Sequence, residues 1–305
     1  MTPNLSPAQL LALLPEQERQ AKIDALPDAV KAQLRWHWPF WARPNQLAPD
    51  GDWRTWLILA GRGFGKTEAG AQWVRDRVEN GARSIALIAE TQKDLEEVMV
   101  ARLLKISPPH MMPKVRYKPV RLIWPNGAEA LGYNGTEPDQ LRGPEFDTAW
   151  VDELAKYRYA RELWDMLQFT MRSGDDPRVL ATTTPRPIPV LREIMANPST
   201  IITRGSTMDN KDKLATAFIA AVVSKYAGTR LGRQELDGEI LDDVPGALWT
   251  RAMLESAITD NTPEMSRVVI AVDPSGTDGA SDDGDSVGIV VIGRGVDGRG
   301  YVLED

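Results

Sequence analysis

Residues 55–67 constrain the possible folds of this chain more than any other stretch. Thr55–Ala60 (TWLILA) is a continuous apolar run, which is typical of a parallel strand buried on both faces. A glycine-rich turn follows, and a helix is predicted from about Gly65 to Asn80, where Gly81 ends it. A buried strand that turns directly into a helix favours an α/β fold with a mostly parallel central sheet.

The rest of the chain continues this alternation of strands and helices. Further strands are predicted at residues 84–89, 148–151, 179–183 and 200–204, and helices at 91–106, 154–171 and 188–196. Short helices are predicted within 6–36, a hairpin within 115–132, and a helical region over 211–256. From residue 267 an alternating β pattern begins and stops at Asp305, so we expect the start of a second domain that is cut short.

Composition narrows the chemistry that this chain can perform. It contains no cysteine and two histidines, which excludes disulfides, thiolate zinc sites and a cysteine nucleophile. Any metal must be held by carboxylates and phosphates, so Mg²⁺ or Mn²⁺ is favoured. No apolar run is long enough to span a bilayer and no signal peptide is recognisable, so we expect no membrane partner.

The formal net charge of −7 is unevenly distributed. Residues 260–305 contain ten acids and three bases, so residues 1–259 are formally neutral. A neutral region can still carry a basic face, and the overall charge therefore does not argue against a nucleic-acid partner. The basic hairpin with Lys114, Arg116, Lys118 and Arg121 is a candidate DNA contact and equally a solvated hairpin.

The turn after the first strand has the composition of a phosphate-binding loop. Gly61, Gly63 and Gly65 allow backbone N–H groups to approach phosphates, and the helix N-terminus adds a positive field. Lys66 would reach the β- and γ-phosphates, and the Thr67 hydroxyl would ligate Mg²⁺. The usual first glycine is Ala60 here. The alternative is a glycine-rich turn without a ligand.

Two adjacent carboxylates, Asp152 and Glu153, end the strand at residues 148–151. Side chains alternate along a strand, so in a regular strand these two cannot point the same way. This suits two different roles, in which Asp152 holds Mg²⁺ and Glu153 polarises the attacking water. The alternative is a helix N-cap followed by a first-turn acid.

The weaker signals of function each have a purely structural alternative. Thr182–Thr184 ends a buried strand, and hydroxyls there could sense a γ-phosphate, although threonine is also a common strand residue. Gln46 could read an adenine edge or be a linker residue, and Arg142 could reach a phosphate or form a surface salt bridge. We expect Trp36, Trp38 and Trp41 to lie in the core rather than to stack on a base.

Asp273 ends the apolar strand that begins at residue 267, and Asp278, Asp282, Asp283 and Asp285 follow it. Such a cluster could hold a divalent ion for phosphodiester hydrolysis, or it could be a solvated loop after a turn residue.

Together these residues resemble the large terminase subunit of tailed double-stranded DNA phages and related gene-transfer particles. The resemblance rests on AGRGFGKTEAG, GTEPDQLRGPEFDTAWVDE, TTTPRP and TRLGRQELDGE before PGALW. It implies an ATP-driven DNA-packaging motor with an N-terminal P-loop ATPase of the ASCE type and a C-terminal nuclease resembling RNase H.

The resemblance also implies roles for individual residues. Gln46 would contact adenine, and Arg62, Lys66 and Thr67 would belong to the Walker A site. Asp152 would be the Walker B carboxylate and Glu153 the catalytic glutamate. The remaining assignments are Thr183 in the coupling motif, Arg142 as an arginine finger acting on a neighbouring subunit, and Asp273 as the first nuclease carboxylate.

The family implies four segments: 1–54 as a helical, adenine-side segment, 55–210 as the ATPase core, 211–259 as a helical subdomain and linker, and 260–305 as the start of the nuclease. It implies ATP and Mg²⁺ as cofactors, with Mg²⁺ or Mn²⁺ for the parent nuclease. Because later nuclease acids are missing from this sequence, we do not expect it to cut DNA.

The implied partners are double-stranded DNA, a portal protein and a small terminase subunit. The chain would be monomeric in isolation and form a homo-oligomeric ring on the procapsid. It would act in the cytoplasm of the bacterial host, transiently at the portal, and would not be part of the mature virion.

Two other classes of protein share parts of this sequence pattern. A helicase-like or other P-loop nucleic-acid translocase would use the same ATPase chemistry, but its core needs a second nucleotide fold, whereas here the next domain opens with a strand ending in Asp273. A non-catalytic P-loop assembly protein is disfavoured by the intact Lys66, Thr67, Asp152 and Glu153.

Overall fold

The structure is a computed structural model that describes residues 4–226, 228–241, 248–249, 251–259, 261–273 and 288–304. The chain divides into two compact units, Met1–Asp242 and Asp243–Asp305. None of the helices among these residues is long and apolar enough to cross a membrane.

The first unit begins with short helices, as predicted. They are α1 (Pro7–Ala12), α2 (Glu16–Asp24), α3 (Asp28–Leu34) and α4 (Trp38–Trp41). Ser6 caps α1, since its hydroxyl accepts a hydrogen bond from the Gln9 amide, and Pro7 occupies the first helical position. A 3₁₀ turn, Pro44–Gln46, leads towards the first strand.

The first two strands have the predicted bounds. Strand β1 (Thr55–Ala60) continues through the glycine-rich loop into α5 (Lys66–Glu79), and β2 (Ser84–Ala89) follows. The Thr91 hydroxyl caps α6 (Gln92–Asp94) by accepting from the Asp94 amide, and a π-helical segment, Leu95–Val100, continues into α7 (Ala101–Ile106). These three segments form the helix predicted at 91–106.

The predicted hairpin contains one strand more than expected. Its strands are β3 (Lys114–Tyr117), β4 (Val120–Ile123) and β5 (Glu129–Asn134). A turn at Pro125–Gly127 joins β4 to β5, and a second tight turn at Lys118 and Pro119 joins β3 to β4.

The later strands also follow the prediction, but one helix does not. The strands are β6 (Thr148–Asp152), β7 (Arg178–Thr183) and β8 (Thr200–Gly205), and the helices are α8 (Ala160–Thr170) and α9 (Pro189–Ala196). The helix predicted from residue 154 begins instead at Ala160. Tyr157 is responsible, because its backbone is extended and its hydroxyl lies 2.9 Å from the Ile88 carbonyl and 2.7 Å from the Asp152 carbonyl.

The eight strands of this unit form one sheet in the order β3-β4-β5-β2-β6-β7-β1-β8. The pairs from β5 to β8 are parallel, and β3 and β4 are antiparallel additions at one edge. The predicted α/β fold with a mostly parallel sheet is therefore confirmed. Two buried clusters cover the sheet: Trp56, Ile58 and Trp150 lie in one, and Leu57 and Leu59 in the other.

The last helical segments of the first unit are a 3₁₀ segment, Thr207–Lys213, and the helices α10 (Thr216–Tyr226) and α11 (Arg230–Glu235). In the second unit, α12 (Arg251–Ala257) precedes β9 (Met265–Asp273), β10 (Gly288–Gly295) and β11 (Gly300–Glu304). The three strands form an antiparallel sheet in the order β11-β10-β9. The four-segment division proposed from the sequence stays a prediction.

Candidate active site

The glycine-rich loop lies at the carboxyl end of β1 and opens directly into α5. Gly63 (φ +75°) and Gly65 (φ +100°) have left-handed backbone conformations that residues with a Cβ rarely adopt. A Cβ on Gly65 would also lie 2.5 Å from Gln46 Nε2. The first amides of a helix lack partners within it and attract anions, so the loop and α5 can bind phosphate groups here.

Lys66 lies behind this loop and contacts residues at the carboxyl ends of β1, β6 and β7. Its side chain is 6% exposed. Nζ donates to the Ala60 carbonyl at 2.9 Å and to Thr184 Oγ1 at 3.0 Å, and it lies 3.3 Å from Glu153 Oε1. The structure thereby brings the predicted lysine and the predicted glutamate into direct contact.

Asp152 is the last residue of β6 and is 8% exposed. Thr182, on neighbouring β7, donates from Oγ1 to Asp152 Oδ1 at 2.5 Å. Burial raises the pKa of Asp152 to about 6 despite that hydrogen bond.

Glu153 leaves the strand in a left-handed conformation, φ +58° and ψ +42°. This turn breaks the strand alternation and directs Glu153 towards Lys66, while its Oε2 accepts from the Thr184 amide at 3.1 Å. Burial raises the pKa of Glu153, but the charges of Lys66 and Lys156 and the Thr184 amide outweigh burial and lower it below its ordinary value. Adjacent carboxyls with oppositely shifted pKa values suit different tasks.

Three threonines lie at and just after the end of β7. Of these, Thr184 rather than Thr183 contacts the Lys66–Glu153 ion pair. The Thr183 hydroxyl is fully buried, donates to the Thr184 carbonyl at 2.9 Å and accepts from the Ala155 amide at 3.1 Å. Thr184 bonds Lys66 through its hydroxyl and Glu153 through its amide. No sequence signal distinguishes these neighbours, because hydroxyl direction depends on where the strand ends.

Gln46 lies under the phosphate loop and is 5% exposed. Its Nε2 donates to the Phe64 carbonyl at 3.5 Å and to the Gly65 carbonyl at 3.4 Å, and its Oε1 accepts from the Arg43 amide at 3.3 Å. Both ends of the amide are therefore engaged with backbone, and the predicted adenine contact stays a prediction.

The expectation that the upstream tryptophans lie in the core is wrong. Trp36 and Trp38 are half-buried, and Trp41 is 44% exposed, with its indole N–H donating to the Leu34 carbonyl. This segment lies against α5, where Arg75 donates from Nη2 to the Trp36 carbonyl at 2.7 Å. Trp38 and Trp41 line a cavity of about 840 Å³ that also borders Gln46 and Gly65.

Asp152 and Thr67 have the donor chemistry that Mg²⁺ requires in a nucleotide site. A carboxylate and a hydroxyl oxygen, completed by phosphate oxygens, form the usual protein share of such a site. No group of three or more acidic or histidine side chains able to hold a metal occurs among the described residues.

The remaining predicted residues lie outside this cluster. Arg62 is 62% exposed and pairs with Glu235 at 2.5 Å, and Arg142 is 69% exposed and pairs with Asp139 at 2.9 Å. Asp273 ends β9 with an exposed side chain. The acids predicted to join it, at 278–285, lie outside the described residues.

A phosphate loop between a buried strand and a helix, with Asp and Glu at the end of another strand of the same sheet, defines the class of P-loop ATPases. The sequence model of the family described as "Terminase large subunit, T4likevirus-type, N-terminal" matches residues 57–256. The chain belongs to this large terminase subunit family, and it is a DNA-packaging motor ATPase rather than a helicase-like translocase.

Solved structures of large terminases have the same fold. The large terminase from a thermophilic bacteriophage, in complex with ADP, is 12% identical, with a TM-score of 0.54 over 90% of this chain and 68% of that one. The HK97 bacteriophage large terminase is 15% identical, with a TM-score of 0.53 over 82% of this chain and 58% of that one. A search of curated protein sequences finds no match.

Proposed function

We propose that this chain hydrolyses Mg²⁺-ATP at the carboxyl edge of its parallel sheet and that this hydrolysis drives translocation of double-stranded DNA. The observation that carries the proposal is the buried contact of Lys66 with Glu153 and Thr184 directly behind the phosphate loop. Binding of ADP by the large terminase of the thermophilic bacteriophage supports the choice of nucleotide.

In this mechanism the loop amides and Lys66 would bind the phosphates, and Thr67 and Asp152 would hold Mg²⁺. The ion would neutralise charge on the β- and γ-phosphates. Glu153 is ionised, because Lys66 and Lys156 lower its pKa, and it accepts the proton of the attacking water. Thr184 fixes the carboxylate of Glu153 through its amide and orients it towards that water.

The test is a comparison of Lys66→Ala with Glu153→Gln. Lys66→Ala should weaken ADP binding, whereas Glu153→Gln should bind ATP and hydrolyse it on the order of 10²–10³ times more slowly. Glu193→Gln, which changes an exposed glutamate on α9, is the matched control and should hydrolyse ATP normally. Hydrolysis at the wild-type rate by Glu153→Gln would refute the assignment of the base.

Arg142 is proposed to act on the active site of a neighbouring subunit in a ring on the portal. Its exposure supports this role, since an arginine finger must leave its own subunit. Such a finger contributes on the order of 10³–10⁵ in rate. Mixed assemblies of Arg142→Ala and Glu153→Gln chains should regain part of the activity, and absence of rescue in assemblies of verified composition would contradict action in trans.

The remaining proposals concern partners and the second unit. The portal, the small terminase subunit and DNA are the proposed partners, and residues 260–305 are proposed to begin an RNase H-like nuclease with Asp273 as its first carboxylate. Asp273 alone cannot space two ions roughly 3.5–4 Å apart, and no group of three acidic or histidine side chains able to hold a metal occurs among the residues that the structure describes. A plasmid-nicking assay with Mg²⁺ and Mn²⁺ should therefore show no cleavage, and cleavage lost in Asp273→Ala would refute this.

A further inference from the structure

Four consecutive carbonyl groups of the phosphate loop are each held from outside by a side chain. The acceptors are the carbonyls of Arg62, Gly63, Phe64 and Gly65. Their donors are Thr207 Oγ1 at 2.6 Å, Asn210 Nδ2 at 2.7 Å, Arg43 Nη2 at 2.6 Å and Gln46 Nε2 at 3.4 Å, in that order. These donors come from two segments, 43–46 and 207–210, that are far apart in sequence.

The direction of these hydrogen bonds determines where the loop amides point. In a planar peptide unit the C=O and N–H groups point in opposite directions. A carbonyl that is held outward therefore directs the N–H of the same peptide unit inward, which applies to the amides of Gly63, Gly65 and Lys66. The Phe64 amide instead donates to the Gly61 carbonyl at 3.4 Å. Successive inward N–H groups form the concave anion site that binds phosphates.

The two segments also hold each other. Arg43 Nη1 donates to Asn210 Oδ1 at 2.7 Å, and the Arg43 guanidinium stacks on the Phe64 ring at 4.9 Å. Arg43 is 3% exposed and Thr207 is 2% exposed. The Thr207 amide is bonded in turn to the Leu236 carbonyl at 2.7 Å. These donors are therefore fixed by contacts within the protein.

We propose that Arg43, Thr207 and Asn210 are positioning residues that hold the phosphate loop in its nucleotide-binding conformation. This inference rests on the ATP site proposed above. None of the three needs to touch the nucleotide, since each acts through a loop carbonyl. Their loss should weaken phosphate binding while the saturated enzyme retains its kcat, because Lys66, Asp152 and Glu153 remain.

The experiment uses Thr207→Val, which removes the hydroxyl and keeps the shape, with Thr207→Ser as the conservative variant. Thr170→Val is the matched control, because Thr170 is also buried and donates to a carbonyl, that of Leu167, at 2.8 Å. Titration calorimetry with ADP and Mg²⁺ measures the affinity. Thr207→Val and Asn210→Ala should each raise the Kd about 2- to 10-fold, the effect of one hydrogen bond.

Thr207→Ser and Thr170→Val should bind ADP within about twofold of wild type, since neither removes a loop contact. Wild-type affinity in folded Thr207→Val and Asn210→Ala would overturn the inference, as would an equal loss in Thr170→Val. If Thr207→Val does not fold, Asn210→Ala decides, because Asn210 is only half-buried. Failure of the wild-type protein to bind ADP would instead refute the proposed function.

Discussion

Strands β1 and β9 are similar in sequence and opposite in burial. Each is a nearly continuous apolar run, TWLILA in β1 and RVVIAV within β9. Every residue of β1 is buried, whereas Val268, Val269, Ile270 and Val272 of β9 are between 46% and 64% exposed. A hydrophobic run therefore indicates what a strand can bury, while its neighbours decide what it does bury.

The neighbours of the two strands explain the difference. β1 lies between β7 and β8, with apolar clusters on both faces of the sheet. Among the described residues, β9 forms the edge of a three-stranded sheet and pairs with β10 alone. The ATPase site depends on the first arrangement, because only a covered sheet keeps water from Lys66 and Asp152.

The largest effect on stability is expected from matched isoleucines at the centres of these strands. Ile58 is fully buried and Ile270 is 64% exposed. Ile58→Ala should reduce the free energy of unfolding by about 2–5 kcal/mol, because it leaves a cavity. Ile270→Ala should cost under about 1 kcal/mol, mainly from strand propensity. Urea denaturation followed by circular dichroism measures both, and equal losses would remove the contrast.

A smaller effect of opposite sign is expected within the active site. Asp152→Asn should raise the free energy of unfolding of the nucleotide-free protein at pH 7 by about 1–3 kcal/mol, because it removes a charge that burial disfavours. The same variant should lose Mg²⁺-dependent hydrolysis. A destabilised Asp152→Asn protein would show that the Thr182 hydrogen bond outweighs burial.

The pH dependence of the stability gained by Asp152→Asn tests whether the buried charge causes it. The folded pKa of Asp152, about 6, lies above the ordinary value of 3.8. Between these values the folded state binds more protons than the unfolded state, so the contribution of Asp152 to stability falls as the pH rises. The advantage of Asp152→Asn should therefore be smaller at pH 5 than at pH 7. An advantage that is independent of pH would exclude the buried charge as its source.

The smallest effect is expected from Val272→Thr, which replaces a 58% exposed side chain of β9 by a polar one of the same shape. The free energy of unfolding should change by less than about 0.5 kcal/mol. Thermal denaturation of the variant and the wild type measures the change. A loss above about 2 kcal/mol would show that β9 is covered in solution, and the contrast with β1 would not hold.

Strands β1, β2, β6 and β7 could be predicted because each contains a short apolar run between turn residues. Strand β3, with the sequence KVRY, contains no such run and is not predicted as a separate strand. The lysine and the two carboxylates followed from their places after such strands. The start of α8 could not be predicted, since it depends on Tyr157 contacting the carbonyls of Ile88 and Asp152. That contact joins two strands and leaves no local pattern.

The supports of the phosphate loop were equally hidden in the sequence. Arg43 and Asn210 bond each other across 167 positions, and no local sequence pattern connects them. The sequence indicates Gln46 as a candidate ligand contact, but it does not show that its amide faces the loop backbone. Motifs identify the groups that meet a ligand, whereas the groups behind them are chosen by tertiary packing.

Strand β3 is the edge strand at one end of the eight-stranded sheet, where its neighbour is β4. An open edge offers unpaired N–H and C=O groups to any other extended chain. Lys114 and Arg116 are exposed along this edge and Lys118 is exposed in the turn that follows it, so pairing of two copies through β3 would bring like charges together. This repulsion protects the protein against edge-to-edge aggregation in concentrated solution, and added salt should weaken the protection.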